Sequence, residues 1–233
     1  MLKNIALALI SSAMLLVMTQ GCRAPQETWT PPIWVFDGSV PDDAGPGEYC
    51  PEGTPDLFNN AYSPYYGGEE DIRLEVVNIS YFRCPHCAHF AELAEQIWAD
   101  RDDFMAHVRF YYHHYPFSYE SAWALHATTV AAGRQGMENF WAVHDYLYDG
   151  IDDNDPSVYY SNEEALAFCD NVLNLDMVQL EEDRLDEQTQ AFLEWDKGQA
   201  LAQGIGGTPT VFVCGEKQSY INIEAVVDGF LYP

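Results

Sequence analysis

The chain has 233 residues, 48% of them hydrophobic, enough for one domain with a real core. Its 37 acidic residues against 10 basic ones give a formal net charge of −27. Binding a phosphate backbone needs Lys and Arg, so no nucleic-acid partner is expected. The acidity reads first as a solvated surface that resists self-association.

Residues 1–21 read as a signal peptide. Lys3 opens a short basic region, and Ile5 to Met18 form an apolar stretch too short for a membrane span. The stretch ends in "MTQGC", where Gly21–Cys22 resembles a bacterial lipobox with Cys22 as the lipidated residue. Thr19 and Gln20 depart from the usual residues there, so an ordinary periplasmic signal is the alternative. One lipid on Cys22 would tether the chain to a membrane without making it span. Export sets an oxidising compartment, in which cysteines form and hold disulfides.

Residues 22–68 are rich in Pro, Gly, Asp and aromatic residues and read as a tether or an irregular wrap. Trp29, Trp34, Phe36 and Tyr49 argue that part of it docks. "LEVVNISYF", Leu74 to Phe82, reads as a buried strand. Pro85 suits the first turn of a helix whose apolar face is Phe90, Leu93, Ala94, Ile97 and Trp98. "HVRFYY", His107 to Tyr112, reads as a second strand, making a strand–helix–strand crossover with cysteines at its first junction. A long helical region follows, with a Ser161/Glu164 capping box and a last helical pattern over 176–202 broken near Gly198. A glycine-rich turn, a Thr-Pro step, a strand over Thr210 to Val213, a hairpin strand and a helix near Ile223 to Phe230 complete the chain.

"YFRCPHCAHF", residues 81–90, offers Cys84, His86, Cys87 and His89 either as metal ligands or as a redox pair. Structural zinc usually draws on a second ligand pair distant in sequence, and none is apparent. Helical spacing puts Cys87 on the apolar face and His86 and His89 on the face of Glu92 and Gln96, so the four diverge. The redox reading uses the same spacing better. Cys84 at the helix start meets unpaired N–H groups and the helix dipole, which favour a thiolate, and His86 would add to that. Cys87 lies one turn in, shielded and harder to ionise. Such asymmetry suits thiol–disulfide exchange: one sulfur is open to attack and the other resolves.

"NISYFRCPHCAHF" resembles the active-site segment of the DsbA-type thiol–disulfide oxidoreductases. "RQGMENFWAVHDYLY" resembles their inserted helical subdomain, and "GIGGTPTVFVCG" their cis-proline loop. The likeness spans about residues 72–230. It implies an α/β, thioredoxin-like fold over 69–233 with a helical insertion at about 118–203. It also implies that Pro209 is a cis-proline and that Thr208 presents backbone to a substrate peptide beside Cys84. One departure is Asn78, where the family often carries a buried carboxylate. Asn does not titrate, and Glu75 substitutes only if the strand register differs.

The expected activity is disulfide exchange with cysteine-containing exported polypeptides through Cys84 and Cys87, flanked by Pro85 and His86. Donation is the lead direction, because the Pro-His dipeptide resembles that of oxidising members. The acidic field of the chain tempers its oxidising strength. A further, unidentified redox partner recharges the pair, and no cofactor or metal is implied. A reductase or isomerase is the alternative. So is a metal-handling or client-binding lipoprotein, for instance a copper chaperone using Cys84, Cys87 and a histidine. His126 and His144 read as structural histidines. Cys169 reads as a buried free thiol, and Cys50 is expected to bridge to Cys214 or to Cys169.

Overall fold

The computed structural model describes residue 50, residues 57–58, 63–68, 72–117, 120–152, 155 and 158–233. Cys22, the 1–21 leader and Trp29, Trp34, Phe36 and Tyr49 lie outside the described residues.

The sheet is built around β2, Leu74–Ser80, whose seven residues are all buried. An apolar, β-branched run with both faces covered is what a central strand requires. β3, Val108–His114, pairs parallel to it, and β4, Thr210–Val213, pairs antiparallel. β1, Tyr65–Tyr66, flanks β3, and β5, Glu216–Gln218, flanks β4, giving the order β1-β3-β2-β4-β5. β1 falls inside the stretch read as tether. Its two residues, bracketed by Pro64 and Gly67, are too few to show alternation, yet they stack on the sheet: Tyr66 lies 4.7 Å from Phe110, ring centre to ring centre.

Eight helices are present among the described residues. α1, Pro85–Asp100, and the short α2, Asp102–His107, cross from β2 to β3. The strand expected from His107 begins at Val108, because His107 still closes α2. Between β3 and β4 lie α3 (Glu120–Arg134), α4 (Met137–Asp149), α5 (Asn162–Asn171), α6 (Met177–Leu185) and α7 (Glu187–Ala202). The Ser161/Glu164 capping box starts α5. α6 and α7 break at Asp186 and not at Gly198. Asp186 caps α7 through Gln188 N and pairs with Arg134, whereas Gly198 sits on an exposed helix face. A helix tolerates such a glycine for about 1 kcal/mol. α8, Ile223–Leu231, ends the chain.

The β4–β5 turn is Cys214–Gly215, with φ of 46° and 71°. Positive φ at both central residues marks the hairpin turn whose twist matches that of the strands. Cys214 is also disulfide-bonded to Cys50, which resolves the two pairings the sequence allowed; Cys169 is a buried free thiol.

One face of the sheet (Leu74, Val76, Phe110) packs against Phe90, Ala94 and Trp98 of α1 and Ile223 and Val227 of α8. The opposite face (Val77, Ile79, Tyr111, Phe212) packs against Phe58, Ala200 and Ile205. A third cluster joins Phe82, Cys87 and Tyr112 to Leu125, Phe140, Leu147 and Leu180 of the helical layer. Phe90, fully buried, contributes about 1.5–3 kcal/mol by burial alone.

The buried histidines serve this packing. His113 and His114 face opposite sides of the sheet, as adjacent strand residues must. His113 pairs with Asp196 of α7 and lies 3.1 Å from Ser63 Oγ, tying the β1 segment and α7 to the sheet. His114 and His126 share a 2.8 Å contact between their Nδ1 atoms. Burial holds His126 down to about 3, helped by the positive charge of Arg83. His144 is buried beside Phe82 and Tyr112 and contacts Asp145 at 2.8 Å.

Candidate active site

The site forms where β2 ends and α1 begins. After Ser80 the chain turns, with Cys84 N donating to Tyr81 O at 3.1 Å, and Cys84 takes the N-cap position with extended backbone. Pro85 occupies the first helical turn, where its missing N–H costs nothing. Cys84 caps with its backbone carbonyl, which accepts from Cys87 N at 2.9 Å and Ala88 N at 3.1 Å. Its sulfur is partly open. Cys87, one turn on, is fully buried.

The loop before β4 completes the site. β4 pairs Thr210 with Ile79, so continuing that register carries Thr208 to the level of Tyr81, beside the cysteines. The Thr208–Pro209 peptide is cis. Thr210 Oγ1 donates to Gly207 O at 2.8 Å and braces the loop from within. The Cys84 thiol donates to Thr208 O at 3.3 Å. Arg83, just before the pair, donates to Ser121 Oγ of α3 at 2.8 Å and lies 4.2 Å from the centre of the Tyr159 ring. It thereby ties the site to the helical layer.

The two sulfurs differ sharply in acidity. Cys84 is lowered from the ordinary thiol value of 9.0 to about 6. The largest cause is a hydrogen bond from Cys87; partial burial opposes it, and the Thr208 hydroxyl and the N–H groups of Cys87 and His86 add to it. All of these donors favour the anion. Cys87 is pushed well above the ordinary range, first by burial and then by its bond and proximity to Cys84.

His86 acts here through its backbone. Its ring is exposed and turns to Tyr220, with Nδ1 3.4 Å from Tyr220 Oη. His89 is also exposed and meets the edge of the same tyrosine. Asn78 is buried two residues before Ser80, on the face that also carries Val76, and its Oδ1 has no hydrogen-bond partner. Glu75 lies in register with Arg109, near the far end of β2, and on the opposite face. Among the described residues no group of three or more His, Cys, Asp or Glu is placed to hold a metal ion.

The model for the family described as thioredoxin matches residues 60–228. The chain belongs to the thioredoxin family. Solved structures agree on the architecture of this thioredoxin-family protein. BdbD from Bacillus subtilis aligns with a TM-score of 0.63 at 19% identity over 73% of this chain and 94% of its own. A thioredoxin-like oxidoreductase from Silicibacter pomeroyi gives 0.62 at 23% over 76% and 96%. The thiol-disulfide exchange protein alpha-DsbA2 from Wolbachia pipientis gives 0.62 at 16% over 75% and 90%. At these identities the likeness shows the fold, a thioredoxin-like α/β fold of the DsbA type.

Two Na(+)/H(+) antiporters, from Salinispora tropica and Salinispora arenicola, are 26% and 28% identical over 160 and 163 residues. The match takes in 68% of this chain but 23% of each antiporter's length. No helix among the described residues is long and apolar enough to cross a membrane.

Sequence reasoning did not single out Tyr220, Ser80 or Tyr148. Tyr220 follows a hairpin and meets α1 only in the folded chain. Ser80 carried a usable signal, since a hydroxyl ends the buried strand four residues before Cys84.

Proposed function

We propose that the protein is a thiol–disulfide oxidoreductase that donates the Cys84–Cys87 disulfide to cysteine-containing exported polypeptides. The observation that carries the proposal is the split between the sulfurs: Cys84 at about 6 and partly open, Cys87 high and fully buried. A thiolate stabilised in the reduced protein makes reduction of the disulfide easier, so the pair tends to give its disulfide away. In the reaction a client thiolate attacks Cys84 Sγ and Cys87 leaves with the electron pair of the broken bond. A second client thiolate then attacks the client sulfur of this mixed disulfide, closing the client disulfide while Cys84 leaves with the electron pair, so the protein is released as the dithiol. Thr208, whose carbonyl lies 3.3 Å from Cys84 Sγ beside the cis peptide, offers backbone to an extended client. Pro85 and the backbone N–H of His86 fix the helix start on which the Cys84 thiolate rests.

Export, lipidation at Cys22, the 22–68 tether and a helical subdomain over 118–203 belong to the same reading, as does a further partner that reoxidises the pair. A reductase uses the same residues with electrons running the other way, and an isomerase uses them with no net electron transfer. The copper-handling alternative is disfavoured, because the His86 ring turns to Tyr220 and away from a shared site with the two sulfurs.

The experiment is oxidation of a reduced, unfolded two-cysteine client by stoichiometric disulfide-form protein. Donation predicts client disulfide with matching loss of the protein's own. The Cys87→Ala variant, which has no disulfide to give, should leave the client reduced. No transfer, with copper retained at one ion per chain, would instead favour metal handling.

A further inference from the structure

The exchange reading leaves one buried charge to be stabilised. When a client thiolate attacks Cys84, the Cys84–Cys87 bond breaks and its electron pair goes to Cys87 Sγ. That sulfur is fully buried, and a buried anion is costly unless it is hydrogen-bonded. Asn78 stands where the DsbA-type resemblance would put a carboxylate, and it does not titrate.

A row of hydroxyls stands behind Cys87. Ser80, the last residue of β2, is fully buried, and its side chain hydrogen-bonds to the Cys87 sulfur, as does the Thr208 hydroxyl from the loop before β4. Tyr148, from α4, donates to Ser80 Oγ at 2.9 Å. Tyr112, from β3, lies 3.3 Å from Tyr148 Oη, hydroxyl to hydroxyl. Each hydroxyl has one proton to give. Tyr148 spends its proton on Ser80, so the proton between the phenols is that of Tyr112. Ser80 in turn is satisfied as an acceptor, and its own proton points at sulfur. The row therefore has one direction, Tyr112 to Tyr148 to Ser80 to Cys87. Burial, first among the causes, keeps both phenols protonated well above the ordinary tyrosine range, so they remain donors at neutral pH.

We propose that Ser80 is the main hydrogen-bond donor to the leaving Cys87 thiolate, ahead of Thr208, and that Tyr148 and Tyr112 are positioning residues that aim its proton. This rests on the exchange reading for its role but not for its existence. Each hydroxyl keeps its own proton, so the row steadies the charge and does not neutralise it.

The test titrates Cys87 alone, in a Cys84→Ala background, following thiolate ultraviolet absorbance and alkylation rate against pH. Ser80→Ala should raise the Cys87 pKa by about one unit or more, slowing alkylation about ten-fold at fixed pH. Tyr148→Phe, which removes only an oxygen, should shift it in the same direction by less. Near-ultraviolet circular dichroism identifies folded variants, and if Ser80→Ala does not fold, Tyr148→Phe decides. An unchanged Cys87 titration in the folded variants would overturn the proposal. A parent protein that fails to oxidise clients while these shifts are present would overturn the exchange reading and leave the hydroxyl row standing.

Discussion

Cys87 is the main support of the Cys84 thiolate, so replacing it by Ala should make Cys84 a weaker acid. The hydrogen bond from Cys87 is the largest of the causes that bring Cys84 from 9.0 to about 6. Hydrogen bonds to charged groups are worth about 1.5–3 kcal/mol, which corresponds to about one to two pKa units. The Thr208 hydroxyl and the N–H groups of residues 86 and 87 survive the substitution. The pKa should therefore settle at about 7–8 and stay below the free value. At about pH 7 the thiolate fraction then falls from about 90% to between about 50% and 10%. The assay is the pH dependence of iodoacetamide alkylation at Cys84, read by mass spectrometry in the reduced parent and in Cys87→Ala. A Cys84 titration that stays near 6 would refute the reasoning, since the helix start alone would then be enough to hold the thiolate.

Three further outcomes are expected. Thr208→Val keeps the carbonyl but loses the hydroxyl donor, so Cys84 should titrate higher than in the parent and lower than in Cys87→Ala, in the same alkylation assay. The reduced protein should gain stability over the disulfide form as pH rises. Cys84 is an acid whose folded value is depressed, so its contribution is complete above about 9 and is lost as pH falls through about 6. With allowance for solvent screening, the difference between about pH 5 and pH 8 should be about 1–2 kcal/mol, measured by denaturant unfolding of both forms. Cys87, raised, opposes this only above its ordinary value and outside that window. Finally, Cys50→Ser opens a bridge spanning 164 positions and should cost up to about 5 kcal/mol in unfolding free energy while leaving the Cys84 titration unchanged.

Much of the site was legible because local rules govern it. Pro85 after Cys84, with Phe90, Ala94, Ile97 and Trp98 at helical spacing, places one cysteine at the helix start and the other on the buried face. The structure has both arrangements. The cis peptide at Pro209 came through the family resemblance, since "GGTP" alone reads as a surface turn. What stayed hidden depended on tertiary partners. His86 was assigned a side-chain role, but its ring is drawn to Tyr220, which is far along the chain. Gly198 looked like a helix break because glycine weakens helices, while Asp186 supplied the cap that ends one helix and starts the next. Cys214 over Cys169 as the partner of Cys50 was undecidable from spacing. It follows from Cys50 packing against the sheet-face cluster that holds Cys214, while Cys169 is sealed in the helical layer among Ala165, Leu180 and their neighbours. The hydroxyl row joins residues 80, 112 and 148, which only the fold brings together.

The direction of electron flow is tested most directly by equilibrating the Cys84–Cys87 pair in glutathione buffers and quantifying the dithiol fraction. A thiolate at about 6 beside a buried partner predicts a potential less negative than about −230 mV, within the glutaredoxin range or on its oxidising side. A potential at or below about −270 mV, where thioredoxin lies, would contradict donation and make the pair a reductant.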